Sequence, residues 1–487
     1  MSHKQRTKRS AGISKRIKKQ KKVAQRTLVN ELIEFALPTG ALFSKQEFHG
    51  NIKWEPEQLA AQALIWSWQD TKNVTAAFEK SVEICRGLGL KKTAANYTGF
   101  MNAIAGHQAV ITQGLRTRLQ ALAEQVGGRF FRTDGRVLMG FDGSRATAPR
   151  SERNEKAFCA PTYGRGKKAQ YNKNKAKRKK RKPRTTEKAQ PQEPQVWITM
   201  IWHMSLRLPW TWRLGPSNSS ERNHVREILE QEEFPENTLF CGDAGFTGFP
   251  LWNSILEAGG DFLVRIGGNV NLLSDHADFR KLKDGRVLCW PKNRMDSGEP
   301  PLRLRLVRVK VGKTNMWMLT SVLKEQELTE TQIVNYYKRR WLIEVEFRGL
   351  KQTVDKHKLR CRNPERLLAE LDWSLHAMAY AELLALRAQI PAAKKQKRTY
   401  TPNDRSLANT LKVLRRYMRN LGEKTPPDAL TQDLASAIVQ RYNNTTDKRA
   451  RYRPKNASKK ALGNPTLCKL TPHQRRKLKN FDTEMAA

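Results

Sequence analysis

The chain has 487 residues, 38% of them apolar, with twelve Trp and seventeen Phe, which excludes a disordered protein and predicts two or three folded units with tails. Its formal net charge of +45 and pI near 10.3 exceed what solubility requires and point to a polyanionic partner, nucleic acid before any other. A membrane-bound protein is not expected, because the sequence offers no amphipathic anchor helix, lipidation motif or apolar span of sufficient length.

Residues 1–25 form a basic arm, read equally as a solvated tail or as an extension that grips phosphates. The opening MSHKQRTKRSAGISKRIKKQKK lacks the apolar stretch of a secretory signal, so the protein is expected to work in the compartment where it is made. Over 26–128 the apolar spacing is helical in TLVNELIEFAL, EQLAAQALIWSWQ, VTAAFEKSVEICRGL and the run from Asn96 to Val126. Breaks at Pro38-Thr39-Gly40, Gly87-Leu88-Gly89 and Gly127-Gly128 separate short helices, so this is an all-helical N-terminal domain and a candidate DNA-binding unit.

The texture changes over 129–266. RVLMGF reads as a buried strand ending at Asp142-Gly143-Ser144; QVWITMIWHM is a second strand, a third lies near Leu206, and Ser220 to Glu230 is a helix. TLFCGD is a strand that ends in Asp243, followed by a helix near Phe249 to Leu256 and the strand DFLVRI. Strands interleaved with helices predict a mixed α/β domain. The lysine-rich run 165–188 between the first two strands cannot pack and is expected as a surface loop. Residues 267–322 offer strand-like VNLLS, GRVLCW, RLRLVRVKV and MWMLTSV and no convincing helix, hence a β-rich insertion. Two long helices, Thr329 to about Asp355 and about Pro364 to Arg387, complete the α/β domain over 323–390. The basic region 391–487 turns polar again, with a helical patch near Arg405 to Leu421, and becomes a candidate dimerisation element only through the resemblance given below. Six scattered cysteines, with no C-x-x-C pair and no histidine at zinc-ligand spacing, read as reduced structural thiols.

On a regular helix from Thr329, Tyr337, Arg340, Glu344 and Lys351 fall within about 60° of one another, beside an apolar stripe of Tyr336, Ile343, Phe347, Leu350 and Val354. An acid among three phosphate-compatible donors suits a place where metal meets a DNA backbone. The spacing alone equally fits a solvated face carrying an Arg340–Glu344 ion pair. Asp142 and Asp243, each following an apolar strand, shift that balance, because three carboxylates from two strands and one helix can hold a pair of Mg2+ ions about 4 Å apart. Either aspartate by itself would be a common turn cap. His203 and His224 are read as structural, and Asp134 and Glu346 are set aside as a turn residue and an acid on the wrong side of the helix.

With these residues in view, the chain resembles DDE transposases of the insertion-sequence-four type. Their Y-x2-R-x3-E-x6-K signature is matched by Tyr337, Arg340, Glu344 and Lys351 within YKRRWLIEVEFRGLK. Further blocks are FDGS, LPWTWRLGPSNSSER, GDAGF, FLVRIGGN and MWMLTS, so the likeness covers roughly Val137 to Lys351. The resemblance implies an RNase H-like core, a mixed sheet flanked by helices and interrupted by the β-rich insertion, with Asp142, Asp243 and Glu344 as catalytic, metal-binding triad. It implies Mg2+ as cofactor, two ions with Mn2+ as a substitute, and DNA contacts from Tyr337, Arg340, Lys351 and Arg265. Trp317 matches a position that stacks on a flipped base, against a competing reading as a core residue, and Trp341 is assigned to packing. The implied partners are double-stranded DNA, both terminal inverted repeats and target, and a second copy of the chain in a homodimer on DNA. The implied function is cleavage at transposon ends followed by strand transfer. The rivals are a transposase-derived DNA-binding protein without activity and an RNase H-like nuclease such as a junction resolvase. The lysine-rich run departs from the family pattern, and the N-terminal helical domain carries no motif that matches it.

Overall fold

The computed structural model describes residues 22–43, 48, 52–159, 193–312, 314–439 and 462–484. The basic arm as far as Lys21 and the whole of 165–188 lie outside the described residues. After a two-residue strand, β1 (Val23–Ala24), come five helices: α1 (Gln25–Ala36), α2 (Pro56–Trp68), α3 (Val74–Leu88), α4 (Tyr97–Gly106) and α5 (Gln108–Gly127). Asn73 and Asn96 cap α3 and α4 by accepting from backbone N–H groups two or three residues on, and Gly89 ends α3 at φ 84°, where a side chain would be strained. Every residue of α2 from Leu59 to Trp68 is buried, which suits a helix made of Ala, Leu, Ile and Trp with few charges.

The next segment holds β2 (Val137–Thr147), α6 (Glu152–Phe158), β3 (Gln195–His203), β4 (Leu208–Gly215), α7 (Glu221–Gln231), β5 (Thr238–Gly242), α8 (Phe249–Glu257) and β6 (Asp261–Ile266). β2, β3 and β4 form an antiparallel meander, while β5 joins β2 and β6 joins β5 in parallel, giving the order β4-β3-β2-β5-β6. A three-strand meander followed by two parallel strands on its first-strand side is the RNase H-like topology. β7 (Asn271–Ser274), β8 (Arg286–Cys289), the short α9 (Lys292–Asp296), β9 (Leu302–Val311) and β10 (Thr314–Thr320) follow. β10 pairs antiparallel with β6, so the strands of 267–322 extend the core sheet instead of forming a sheet of their own.

The remaining elements are α10 (Glu330–Arg340), α11 (Ile343–Arg348), a π-helical turn (Gly349–Thr353), α12 (Pro364–Lys395), α13 (Leu407–Arg419), β11 (Lys424–Thr425), α14 (Ala429–Ala435), β12 (Thr466–Lys469) and α15 (Pro472–Glu484). β12 pairs in parallel with β7 and completes a ten-stranded sheet, β12-β7-β8-β9-β10-β6-β5-β2-β3-β4, and β11 pairs with β1.

The expectation of separate folded units gives way to one continuous apolar cluster running from Leu28 to Leu467. The reason is α12, whose middle from Glu370 to Leu386 is buried on all sides and therefore needs partners all round. The N-terminal helices supply one flank, with Trp68 Nε1 donating to Ala377 O at 2.8 Å and Tyr380 Oη donating to Leu115 O at 2.9 Å. The sheet supplies another, where Trp212 Nε1 donates to Asp372 Oδ1 at 2.7 Å. The C-terminal region, expected as a basic appendage, is folded in as well: α13 and α14 pack on α12 and α1, and Arg405 is wholly buried. Among the described residues no helix is long and apolar enough to cross a membrane.

Candidate active site

Asp142 was expected at the end of its strand, yet β2 runs on to Thr147 and Asp142 stands mid-strand opposite Met200 of β3. What ends near it is the pairing with β5, whose ladder runs from Val137↔Thr238 to Gly140↔Cys241. The same offset puts Asp142 level with Asp243, and residues level on parallel strands point to the same face about 4.8 Å apart along the sheet. The β5–β6 ladder ends at Gly242↔Val264, so its next rung sets Arg265 beside Asp243. Continued past their last paired rungs, these registers would align Asp142, Asp243 and Arg265 in one row, and Asp243 acts electrostatically on Asp142. Backbone amides orient both acids: Gly143 N donates to Asp142 Oδ1 at 2.8 Å and Gly245 N to Asp243 Oδ1 at 2.7 Å.

The helix that carries the fourth element of the row is not the regular helix the spacing predicts. Trp341, Leu342, Glu344 and Val345 donate to carbonyls three residues back, a tight 3-10 stretch between α10 and α11, and a π turn follows. Each 3-10 residue adds about 20° over α-helical winding, so Glu344 is swung on the order of 80° from the line through Tyr337 and Arg340. Tyr337 and Arg340 are accordingly buried, at 0% and 3% exposure, while Glu344 is exposed and Lys351 half-buried. The four signature residues do not share one face.

Arg340 Nη1 lies 3.6 Å from Asp142 Oδ2, its guanidinium 5.5 Å from the Tyr337 ring centroid and 4.9 Å from that of Trp341. Arg340 Nε and the Tyr337 hydroxyl have no hydrogen-bond partner among the described residues. Tyr337, with no exposed surface, therefore braces Arg340 and does not present its hydroxyl to a ligand as the structure stands. Trp341, expected to pack, is 46% exposed beside Glu344. The apolar stripe holds in part: Tyr336, Ile343, Phe347 and Leu350 are buried, and Val354 is half-buried. Asp134 sits in the turn before β2 and accepts from Tyr336 Oη at 2.6 Å, and Glu346 is buried against Arg207.

Trp317 is not brought to the row of acids. Arg265 pairs with Met318 and Ile266 with Trp317, so the pleat turns Met318 to the face of Asp142 and Asp243 and Trp317 to the other. There Trp317 is half-buried against Phe279, ring centroids 4.7 Å apart, under Arg308, and donates its Nε1 to Asn464 Oδ1 at 2.9 Å. His203 and His224 also stay out of the site, His203 accepting from Leu206 N and His224 bonded to Thr199 Oγ1.

One acid near the row was not anticipated. Glu221, the first residue of α7, approaches from the opposite face of the sheet and lies over Gly143, where an added Cβ would overlap its Oε1 and stand 2.6 Å from its Cδ. In the sequence it looks like any acid in a first helical turn, favoured by the helix dipole. The one hint there was its place in LPWTWRLGPSNSSER. Burial first, then the charges of Asp142 and Asp243, push its pKa up to about 7. Burial likewise raises Asp142, helped by Asp243 and Glu344 and opposed by the Gly143 amide and Arg340. Lys351 is lowered by burial.

The donor set is hard carboxylate oxygen, which suits Mg2+ or Mn2+ and suits no softer metal. Among the described residues no three of His, Cys, Asp and Glu stand close enough to enclose a single ion. Asp142, Asp243 and Glu344 nonetheless act on one another electrostatically, and a pair of cations about 4 Å apart spreads its ligands more widely than one ion does. Mutual repulsion of uncompensated carboxylates acts in the same direction. The chemistry of the donor set fits hard divalent cations, which Asp142, Asp243 and Glu344 would hold.

Fold and site together define an RNase H-like core with a row of acids on its sheet and a further acid on the helix above. Residues 141–381, a stretch that includes Asp142, Asp243 and Glu344, match the family of the transposase DDE domain, and this match together with a curated relative supports a DDE transposase of the insertion-sequence-four type. It is 26% identical over 270 residues to the transposase InsG for insertion sequence element IS4 of Escherichia coli (strain K12), an alignment covering 52% of this chain and 58% of the relative. The chain thus spans less than two thirds of that relative's length. A chain in the cryo-EM structure of a piggyBac transposase synaptic complex with hairpin DNA aligns at 11% identity and TM-score 0.34, over 89% of this chain and 86% of the other.

Proposed function

We propose that this chain is a metal-dependent transposase that cuts DNA at the ends of a mobile element and joins the freed 3′-hydroxyls to target DNA. What supports the reading is the β2–β5 register, which carries Asp142 and Asp243 to neighbouring positions past its last rung, together with the electrostatic action of Asp243 and Glu344 on Asp142. These three side chains would hold the divalent ions. A bound cation pair supplies activation of the attacking water or 3′-hydroxyl and stabilisation of the leaving oxygen. The protein's own part is positional and electrostatic. Arg340, fixed by Tyr337 and Asp142, offers a buried cation with a free Nε to a phosphate oxygen. Lys351, a partly desolvated ammonium, and Arg265 would add cations for the phosphates of a bound strand. Two ends must be cut together, which calls for a homodimer assembled on double-stranded terminal repeats.

The test is a pair of assays on full-length protein. Asp142→Asn and Glu344→Gln should each lower cleavage of an end-containing plasmid by at least about a thousandfold, with DNA affinity within about threefold of wild type. Unchanged cutting by either variant would remove the site. Wild type given precut ends should insert them into a target plasmid; cleavage without joining would favour the junction-resolving nuclease.

A further inference from the structure

We infer that Glu221 is a fourth carboxylate of the divalent-cation site, reaching it from the face of the sheet opposite the Glu344 helix; the inference rests on the active-site reading above. Three observations carry it. The first is steric. Gly143 directly follows Asp142, and the space its missing side chain leaves is filled by the Glu221 carboxylate, so a residue with a Cβ at 143 would expel it. Because α7 starts at Glu221, the side chain is delivered from a fixed point, with Val225 and Ile228 wholly buried behind it.

The second is the charge balance. Asp142 and Asp243 act on Glu221 as like charges, Asp243 and Glu344 act so on Asp142, and the opposing cations are Arg145 at Glu221 and Arg340 at Asp142. No hydrogen bond or ion pair to Glu221 is found among the described residues, although it is half-buried by its neighbours. A half-buried carboxylate beside two others is a costly arrangement unless a cation completes it. The third is Arg340, 3% exposed, whose Nη1 lies 3.6 Å from Asp142 Oδ2 and whose Nε has no acceptor among the described residues. A buried donor left open at the rim of the acids is what an anion bridging them and the arginine would satisfy, as a metal-bound phosphate does.

The experiment is Mn2+ binding by the full chain, read by electron paramagnetic resonance of the free ion, with circular dichroism to establish folding. Glu221→Gln should weaken Mn2+ binding at least about tenfold while leaving the affinity for DNA unchanged. Gly143→Ala, which keeps every carboxylate and displaces only Glu221, should weaken it in the same direction. Glu221→Asp, charged but one methylene shorter, should fall between. If Asp142→Asn loses Mn2+ while Glu221→Gln and Gly143→Ala bind it as wild type does, Glu221 is no ligand and the three-acid reading stands. If Asp142→Asn also binds normally, the active-site reading fails and takes this inference with it.

Discussion

His203 is a useful residue from which to see how burial sets chemistry in this chain. It is wholly enclosed where β3 turns into β4, accepts from Leu206 N at 3.2 Å, and burial pushes its pKa down to about 3. The folded protein therefore binds this proton less readily than the unfolded chain, whose imidazole titrates near 6.5. Its stabilising contribution is complete above that pH and is lost as pH falls from 6.5 toward 3. At pH 5 the expected loss relative to pH 8 is about 2 kcal/mol from this group. Urea midpoints over that range should show a shallower dependence in His203→Asn; an equal slope would assign the effect elsewhere. Single residues were unevenly legible in the sequence. Asp142, Asp243 and Glu344 stood out because two follow apolar strands and one sits in a spaced signature. Glu221 did not, because its role depends on an absent Cβ at Gly143, a relation between residues far apart in the chain.

At the scale of elements, the segment from Glu330 to Thr353 departs most from its sequence pattern. Its apolar spacing predicts one helix, and the structure holds α10, a 3-10 step, α11 and a π turn. Contacts on both sides impose the break. Glu346 receives two hydrogen bonds from Arg207, at 3.0 Å from Nε and 2.6 Å from Nη2, and Gly349 lets the start of α13 approach so closely that a Cβ would meet Leu407 at 3.0 Å. Arg207 and Glu346 are joined by Arg405, which donates to the carbonyls of Leu206 and Arg207, and by Glu382. Burial, and then the neighbouring Glu346, push Glu382 well up, against the pull of Arg405 and Arg207. Burial draws Arg207 down, but the Glu346 and Glu382 carboxylates outweigh it and hold its pKa above the ordinary value. Glu346→Ala should cost about 3–5 kcal/mol by removing the carboxylate paired with the buried Arg207 guanidinium. Arg207→Met with Glu346→Leu should recover most of that loss, and thermal melts of the single and double variants decide it. A double variant no more stable than Glu346→Ala would mean that packing, not unpaired charge, carries the cost.

At the scale of the whole molecule, the charge of +45 has a direct consequence. A protein that displaces many counterions from DNA loses affinity steeply with salt, and binding to end-containing DNA should fall by at least about a thousandfold between roughly 50 and 200 mM salt. Fluorescence anisotropy across that range reads the slope; a flat response would show that the excess charge does not engage phosphates. The folded body is more unified than its composition suggests. The N-terminal helices, the extended sheet and the region of α13 and α14 all close on α12, because a helix buried on every side cannot be satisfied by one neighbour.

Strand order along the chain and the mixed α/β class were determined by the sequence itself, and the three acids proposed as metal ligands were singled out there, since alternation, turn residues and signature spacing are local properties. Tertiary structure alone decided which face each strand presents, and so turned Trp317 to the face opposite Met318 and Arg265. It also decided the twist that turns Glu344 outward while Arg340 turns in, and the approach of Glu221 across Gly143. The physical reason is common to all of these. Register, helix winding and the filling of an empty Cβ position are settled by packing between segments distant in the chain, where local preference is weak and burial is strong.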